Sequence, residues 1–177
     1  DILEPAPVGR AESQPPIVTL LLNFRLHRVG VSADISKAYM MIAVHPSDQP
    51  YFRFLWRSLD TEGTKTYQMQ RVTWGAASSG FLLAATIRYH LTRSDSSSQM
   101  LASCLYADDF LRSFEDTEQA KEFTDRIRTT LEAAGMNLAK WKTSSREVAA
   151  HLRETSVDQS SFDTAPSGLL KVLGVSW

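Results

Sequence analysis

Two aspartates stand side by side at Asp108 and Asp109, bracketed by the apolar runs Cys104-Leu105-Tyr106 and Phe110-Leu111. Apolar residues, two acids and apolar residues again, over so short a span, predict a β-hairpin whose tight turn carries both carboxylates at its tip. Adjacent carboxylates repel, and each disfavours ionisation of the other unless something positive lies between them. A divalent cation is one remedy, because hard ions such as Mg2+ take carboxylate oxygens and keep positions for substrate phosphates. Ordinary turn chemistry is the other reading, since Asp tolerates turn geometry and bonds its own backbone. The rest of the chain decides between them.

At 177 residues the chain suits one domain with a core of its own. Hydrophobic residues make up 43% and charged residues 22%, an ordinary globular balance. No apolar run reaches the length of a membrane span, and the start carries no leader-like pattern, so no membrane partner is expected. Acids and bases nearly cancel, 20 against 19, so any basic groove for nucleic acid has to be local. The single cysteine, Cys104, has no internal partner for a disulfide and reads as a small core residue in a reducing compartment. The start at Asp1 and the strand-like ending Lys171 to Trp177 suggest a piece of a longer polypeptide.

Residues 1–16 hold Pro5, Pro7, Pro15 and Pro16 and little apolar content, so they read as a linker or disordered arm. A helix is expected over Ile17 to Leu26, with Ile17, Leu20, Leu21 and Phe24 on one face. A short buried strand around Val31 ends at Asp34, a third carboxylate that by itself could be a helix cap. Tyr51 to Trp56 and Tyr67 to Val72 predict a hairpin with a long exposed loop. The turn at Gly75 to Ser79 should enter a helix over Phe81 to Leu91, with Ser78 or Ser79 as N-cap. Asp116 with Gln119 predicts the next helix start, and Gly135 its end. A strand over Met136 to Lys142 would put Lys140 and Lys142 on one side, and a short helix is expected near Glu147 to Arg153. Leu169 to Trp177 reads as β-type. The fold class expected is α+β, helices packed on one face of an antiparallel sheet.

Several separated segments together resemble one family. Ser32-Ala33-Asp34-Ile35-Ser36-Lys37-Ala38-Tyr39, then Trp74-Gly75-Ala76-Ala77-Ser78-Ser79, then Tyr106-Ala107-Asp108-Asp109, are similar to the first three palm motifs of reverse transcriptases. Gly135-Met136-Asn137-Leu138-Ala139-Lys140-Trp141 resembles the fourth, and Val172-Leu173-Gly174-Val175 the primer grip. Phe52-Arg53-Phe54-Leu55-Trp56, Lys140-Trp141 and the closing Leu173-Gly174-Val175-Ser176-Trp177 are most similar in wording to BEL/Pao-type retrotransposon polyproteins. Each motif is weak; the five in this order and spacing are specific.

The resemblance implies a palm with partial fingers over 17–177, truncated before the thumb. It also implies transfer of a nucleotide from a dNTP to a primer 3′-hydroxyl on an RNA or DNA template, with two Mg2+ ions (Mn2+ as the alternative). Asp34, Asp108 and Asp109 would hold the metals together with the backbone carbonyl of Ile35. Tyr39 would crowd the sugar 2′-hydroxyl, or else simply pack in the core. Trp74 and Gly75 would lie against the nascent base pair, Tyr106 and Ala107 beneath the primer end, and Leu173 and Gly174 in the primer grip. Lys140 would protonate the departing pyrophosphate, with Lys142 as its rival. Gly80 stands where relatives usually have proline, and Trp74 where they have glutamine. Further fingers, the thumb and a ribonuclease H segment would be partners in a longer polyprotein, in the cytoplasm and within virus-like particles. Apart from Arg10, nothing in 1–16 would clamp a triphosphate, so weak or no turnover is expected of the chain alone. The alternative reading is a non-catalytic retroelement remnant that binds nucleic acid or another protein. A viral RNA-dependent RNA polymerase fits less well, because Ala107 and Tyr39 stand where those usually have glycine and no aromatic gate.

Overall fold

The computed structural model describes residues 15–58, 63–93 and 99–155, and the backbone of 171–172 and 175–176. The expected arm over 1–16 therefore falls almost wholly outside the described residues, and Leu173 and Gly174 fall outside them too. In chain order the elements are α1 (Ile17–Phe24), β1 (Val29–Ile35), β2 (Arg53–Trp56), β3 (Lys65–Gln68), α2 (Ser79–Arg93), α3 (Gln99–Ala102), β4 (Leu105–Tyr106), β5 (Asp109–Phe114), α4 (Thr117–Glu132), β6 (Leu138–Thr143), α5 (Arg146–Thr155), β7 (Lys171–Val172) and β8 (Val175–Ser176). Short 3-10 turns occupy Ala38–Met41 and Gln49–Phe52.

Four strands form an antiparallel sheet in the order β4-β5-β1-β6. Side chains alternate across a strand, and the sequence of β1 separates the two faces cleanly. Val29, Val31, Ala33 and Ile35 enter the main core. There they join Phe110 and Phe114 of β5, Trp141 of β6, Leu83 and Ile87 of α2, Ile127 and Leu131 of α4, and Val148 and Leu152 of α5. Aromatic rings tie β5 to α4, with Phe123 lying 5.3 Å from Phe114 and 6.2 Å from Phe110.

Gly30, Ser32 and Asp34 face the other way, opposite Ser113, Leu111 and Asp109. Over one end of that second face sits α1, whose Leu20 and Phe24 pack on Leu111. The Ser113 hydroxyl donates to the Asn23 carbonyl at 2.8 Å. Gly30 lets the Phe24 ring come close, since a Cβ there would stand 3.1 Å from it and push the ring back. The α+β architecture is the one expected, with the addition that α1 lies across the sheet from the longer helices.

Local differences have simple causes. Helix α1 ends at Phe24 rather than Leu26, and only Leu20 and Phe24 of it are buried, because the face it covers is narrow. The second strand of the exposed hairpin is Lys65–Gln68. Val72 instead turns into the core, donating its N–H to the Ile42 carbonyl. Of the two cap candidates, Ser78 directly precedes α2 and its carbonyl accepts the Leu82 N–H at 2.9 Å, while the Ser79 hydroxyl donates to the Thr73 carbonyl at 2.6 Å. Other expectations match closely. Cys104 is buried. The Asp116 carboxylate accepts the Gln119 N–H at 2.9 Å to start α4. Gly135, at φ 74°, lets the Met136 N–H reach back to the Leu131 carbonyl. Lys171–Val172 and Val175–Ser176 pair antiparallel as β7 and β8.

Removing the Asp116 cap leaves an orphaned N–H at the start of α4, the helix that closes the core. Asp116→Ala should lower stability by about 1 kcal/mol in urea unfolding with an unchanged denaturant slope.

Candidate active site

Asp34 and Asp109 are direct register partners near the ends of β1 and β5, on the face that α1 leaves uncovered. Like charges directly opposite one another on a sheet are destabilising, so no packing argument explains the pair. Asp108 follows from the turn. Tyr106 and Asp109 close the β4–β5 hairpin over the two residues Ala107 and Asp108, with Ala107 at φ 53°. A left-handed alanine costs about 1–2 kcal/mol and persists where its surroundings fix it. One such tie is visible: the Ile35 N–H donates to the Asp108 carbonyl at 2.7 Å, fastening the hairpin tip to the end of β1. Tyr106 bridges the acids and α1, packing against Leu20, Phe24 and Leu111.

Opposite Asp34, β6 carries one residue too many. Ser32 pairs with Lys142 but Asp34 pairs with Ala139, so a bulge falls at Lys140, itself at φ 52°. Bulges re-aim side chains. Here Trp141 stays in the core while the Lys140 ammonium donates to the Asp34 carboxylate. Lys140 and Lys142 both act electrostatically on Asp109, as their shared side of the strand predicts, and Lys140 pairs with Asp34.

The electrostatics follow from this crowding. Burial, then the charges of Asp108 and Asp34, push the Asp109 carboxyl up to about 6, against the opposing pull of Lys140 and Lys142. Lys140 is held above the usual lysine range, first by its hydrogen bond to Asp34 and then by the acid charges. The Tyr39 hydroxyl is raised by burial and then by Asp108, which places it within electrostatic reach of the tip. Trp74, 64% exposed, meets Tyr39 edge-on with ring centroids 5.9 Å apart. Gly75 follows at φ 89°, a conformation suited to glycine, with open space around its Cα. Asp34, Ile35, Tyr39, Trp74, Gly75, Tyr106, Ala107, Asp108, Asp109 and Lys140 are thus brought into one neighbourhood. Two features escaped the sequence: the Ile35–Asp108 backbone bond, which leaves no side-chain signature, and the bulge. The excess of one residue between Ala139 and Lys142 becomes apparent only when β1 is laid alongside.

Among the described residues, no three His, Cys, Asp or Glu side chains close around a point where a metal ion could be held. The donor chemistry nevertheless suits a hard divalent cation. It consists of carboxylate oxygens only, mutually repelling, with one group driven toward protonation and a lysine ammonium drawn in as counter-charge. Asp109 binds a proton more readily in the folded than in the unfolded chain, so without metal its contribution to stability grows as pH falls through about 6 toward 4. Asp109→Asn should therefore be more stable than the parent at pH 7.5 in chelator. The gain should be about 1 kcal/mol after allowing for screening of a partly open group, and should fade by pH 4 in thermal melts.

Comparison with known proteins now bears on this site. Residues 7–175 match the family of reverse transcriptases (RNA-dependent DNA polymerases). No curated protein matches the chain in sequence. A solved foamy viral protease–reverse transcriptase in complex with an RNA/DNA hybrid is similar in fold, with a TM-score of 0.56 and 18% identity. The similarity covers 71% of this chain and 15% of that one, so this chain corresponds to a small part of the viral protein's length. With the family match running over nearly its whole length, the chain belongs to the reverse transcriptase family.

Proposed function

We propose that this chain forms the palm and part of the fingers of an RNA-directed DNA polymerase, extending a primer paired to an RNA or DNA template. The supporting observation is the pairing of Asp34 with Asp109 on the open sheet face, with Asp108 fastened beside them, in a member of this family. The donors present suit two Mg2+ ions, or Mn2+, held by Asp34, Asp108, Asp109 and the Ile35 carbonyl, which would stabilise charge on the attacking and leaving oxygens. The new bond joins the primer 3′-oxygen to the α-phosphorus; the bond to the bridging oxygen breaks and pyrophosphate leaves.

The chain's own residues have separate tasks in this reading. Lys140 carries a proton at Nζ that can pass to the leaving pyrophosphate, with Lys142 the second candidate. Tyr39, braced by the exposed Trp74, is the sugar gate. Trp74 and Gly75 border the nascent base pair, Tyr106 and Ala107 support the primer end, and Leu173 and Gly174 belong to the primer grip. The segment wording noted above supports a retrotransposon polyprotein of BEL/Pao type, acting in the cytoplasm and within virus-like particles. Residues 1–16 contain Arg10 as their one basic residue, so a clamp on the triphosphate is thin and turnover by this chain alone should be slow.

Primer extension on an RNA template with dNTPs and Mg2+ tests the assignment. Slow incorporation is expected, falling at least ~100-fold in Asp108→Asn, since one metal-holding carboxylate is lost. Equal incorporation by both proteins would overturn it, and so would salt-dependent template binding with no metal-dependent turnover, which marks a binding module. In the same assay Tyr39→Val should raise incorporation of rNTP relative to dNTP by ~10-fold or more, the discrimination one steric contact can supply; an unchanged ratio returns Tyr39 to simple packing.

A further inference from the structure

We infer that the cavity between α3, β5 and α4 binds a small phosphate monoester through Arg112 and Arg126. The cavity measures about 250 Å3, and Met100, Phe114 and Phe123 form its apolar wall. It opens at the sheet edge, where β4 stops pairing with β5 at Phe110 and leaves Arg112 beyond the last paired residue. Side chains alternate along β5, so Arg112 shares the face of Phe110 and Phe114, opposite that of Asp109. The cavity is therefore separate from the acid cluster, and it stands whether or not those acids polymerise nucleotides.

These two arginines differ from others in the domain. Arg28, Arg71 and Arg128 give guanidinium N–H groups to backbone carbonyl oxygens, and Arg53 gives one to the Gln68 amide oxygen. Arg112 instead donates to the Cys104 sulfur at 3.2 Å, a weak acceptor. In both Arg112 and Arg126 the Nε atom is buried without any acceptor, an arrangement that native proteins avoid. Glu122 also stands at the cavity, yet among the described residues it forms no ion pair with either arginine. Phe123 gathers them: the guanidinium carbons of Arg112 and Arg126 lie 4.4 and 5.5 Å from its ring centroid. Two positive charges drawn to one ring, with no carboxylate bonded to either, are an unanswered demand for an anion.

The chemistry of the wall selects the ligand. A guanidinium fork matches phosphate oxygens bidentately. A phosphate monoester carries about two negative charges near neutral pH, one for each arginine, and three free oxygens to share between the forks. A carboxylate has a single charge and leaves one arginine unanswered. Met100 and Phe114 leave the rest of the cavity apolar, which suits a small hydrocarbon group on the ester. Pockets for drug-sized ligands hold roughly 300–1,000 Å3, so a whole nucleotide is too large. Both arginines are half-buried and can turn their forks onto the anion, while Glu122 is exposed and can turn away into water.

Titration calorimetry in chelator, with phenyl phosphate, inorganic phosphate and benzoate as probes, tests the site. Phenyl phosphate should bind saturably and at least ~3-fold more tightly than inorganic phosphate, which lacks the apolar group, or benzoate, which lacks the second charge. Arg112→Met and Arg126→Gln should each weaken it by ~10-fold or more, the worth of a charge-assisted hydrogen bond. Arg53→Gln, on the β2–β3 hairpin, should change it by less than ~2-fold. Should Arg112→Met misfold, heteronuclear NMR of the parent takes its place: two arginine Nε–H signals, one of them missing in Arg126→Gln, should shift with phenyl phosphate. No saturable binding by the parent up to ~10 mM overturns the site, and so does equal affinity in Arg126→Gln or an equal loss in Arg53→Gln. Benzoate or inorganic phosphate binding as tightly as phenyl phosphate overturns the ligand class.

Discussion

Like charge gathered at one end of an antiparallel sheet is the constraint around which this molecule is arranged. Asp34 and Asp109 oppose one another across β1 and β5, and Asp108 sits at the adjoining turn. Burial, and then the charge of each neighbouring carboxylate, raise the cost of ionising Asp109, which is why it is driven up to about 6 even with two lysines nearby. Nothing in the packing of the domain needs these acids. The core lies across the sheet, and the α1 cluster of Leu20, Phe24 and Leu111 stands beside them. The arrangement becomes intelligible when the acids are treated as a site for cations, with Lys140 as the cation the chain itself provides.

The two faces of the sheet divide the labour. One is closed by α2, α4 and α5 over Val31, Phe110 and Trp141, all nearly fully buried. That rigid side fixes the register of β1 against β5, and the register alone brings residue 34 opposite residue 109, far apart in the chain. A slip of one residue would move every apolar side chain of β1 out of the core, so the hydrophobic pattern protects the acid pairing indirectly. On the other face, α1 covers the far end only, leaving the acid end for a ligand. Fold and site are therefore specified by the same alternation, read from opposite sides.

Much of this was legible in the sequence because it rests on local chemistry. The Asp108–Asp109 tip, the Asp116 cap, the Gly135 stop and the helical spacing of Ala120, Ile127 and Leu131 each carry their own signal. What stayed hidden depends on which strands meet. The β3 boundary was displaced because Tyr67 to Val72 is β-like throughout, whereas the bridge between Ala43 and Arg71 draws its end away from the hairpin. Ser78 and Ser79 looked equal as caps; only the Thr73 carbonyl, which takes the Ser79 hydroxyl, separates them. The pairing of Lys140 with Asp34 spans most of the domain and depends on a one-residue excess that no window along the chain reveals. Even the family resemblance assigned Lys140 toward substrate and gave no hint of its bond to Asp34.

Strain marks the same place. Among the described residues, the non-glycine positions with positive φ are Lys37, Ala107 and Lys140. One follows Asp34 by three residues, one precedes Asp108, and one is bonded to Asp34. Each such backbone costs about 1–2 kcal/mol, and a surface loop free to relax would not retain it. They are held because the flanking segments are fastened: Ser36 donates to the Asn137 carbonyl at 2.8 Å, Ile35 to that of Asp108, and Trp141 is locked in the core beside Lys140. Relaxing any of the three would rotate an acid or its lysine off the shared face while leaving the core intact. The well-packed side of the sheet thus supplies the stability that lets the opposite edge keep both its repelling charges and its unfavourable backbone.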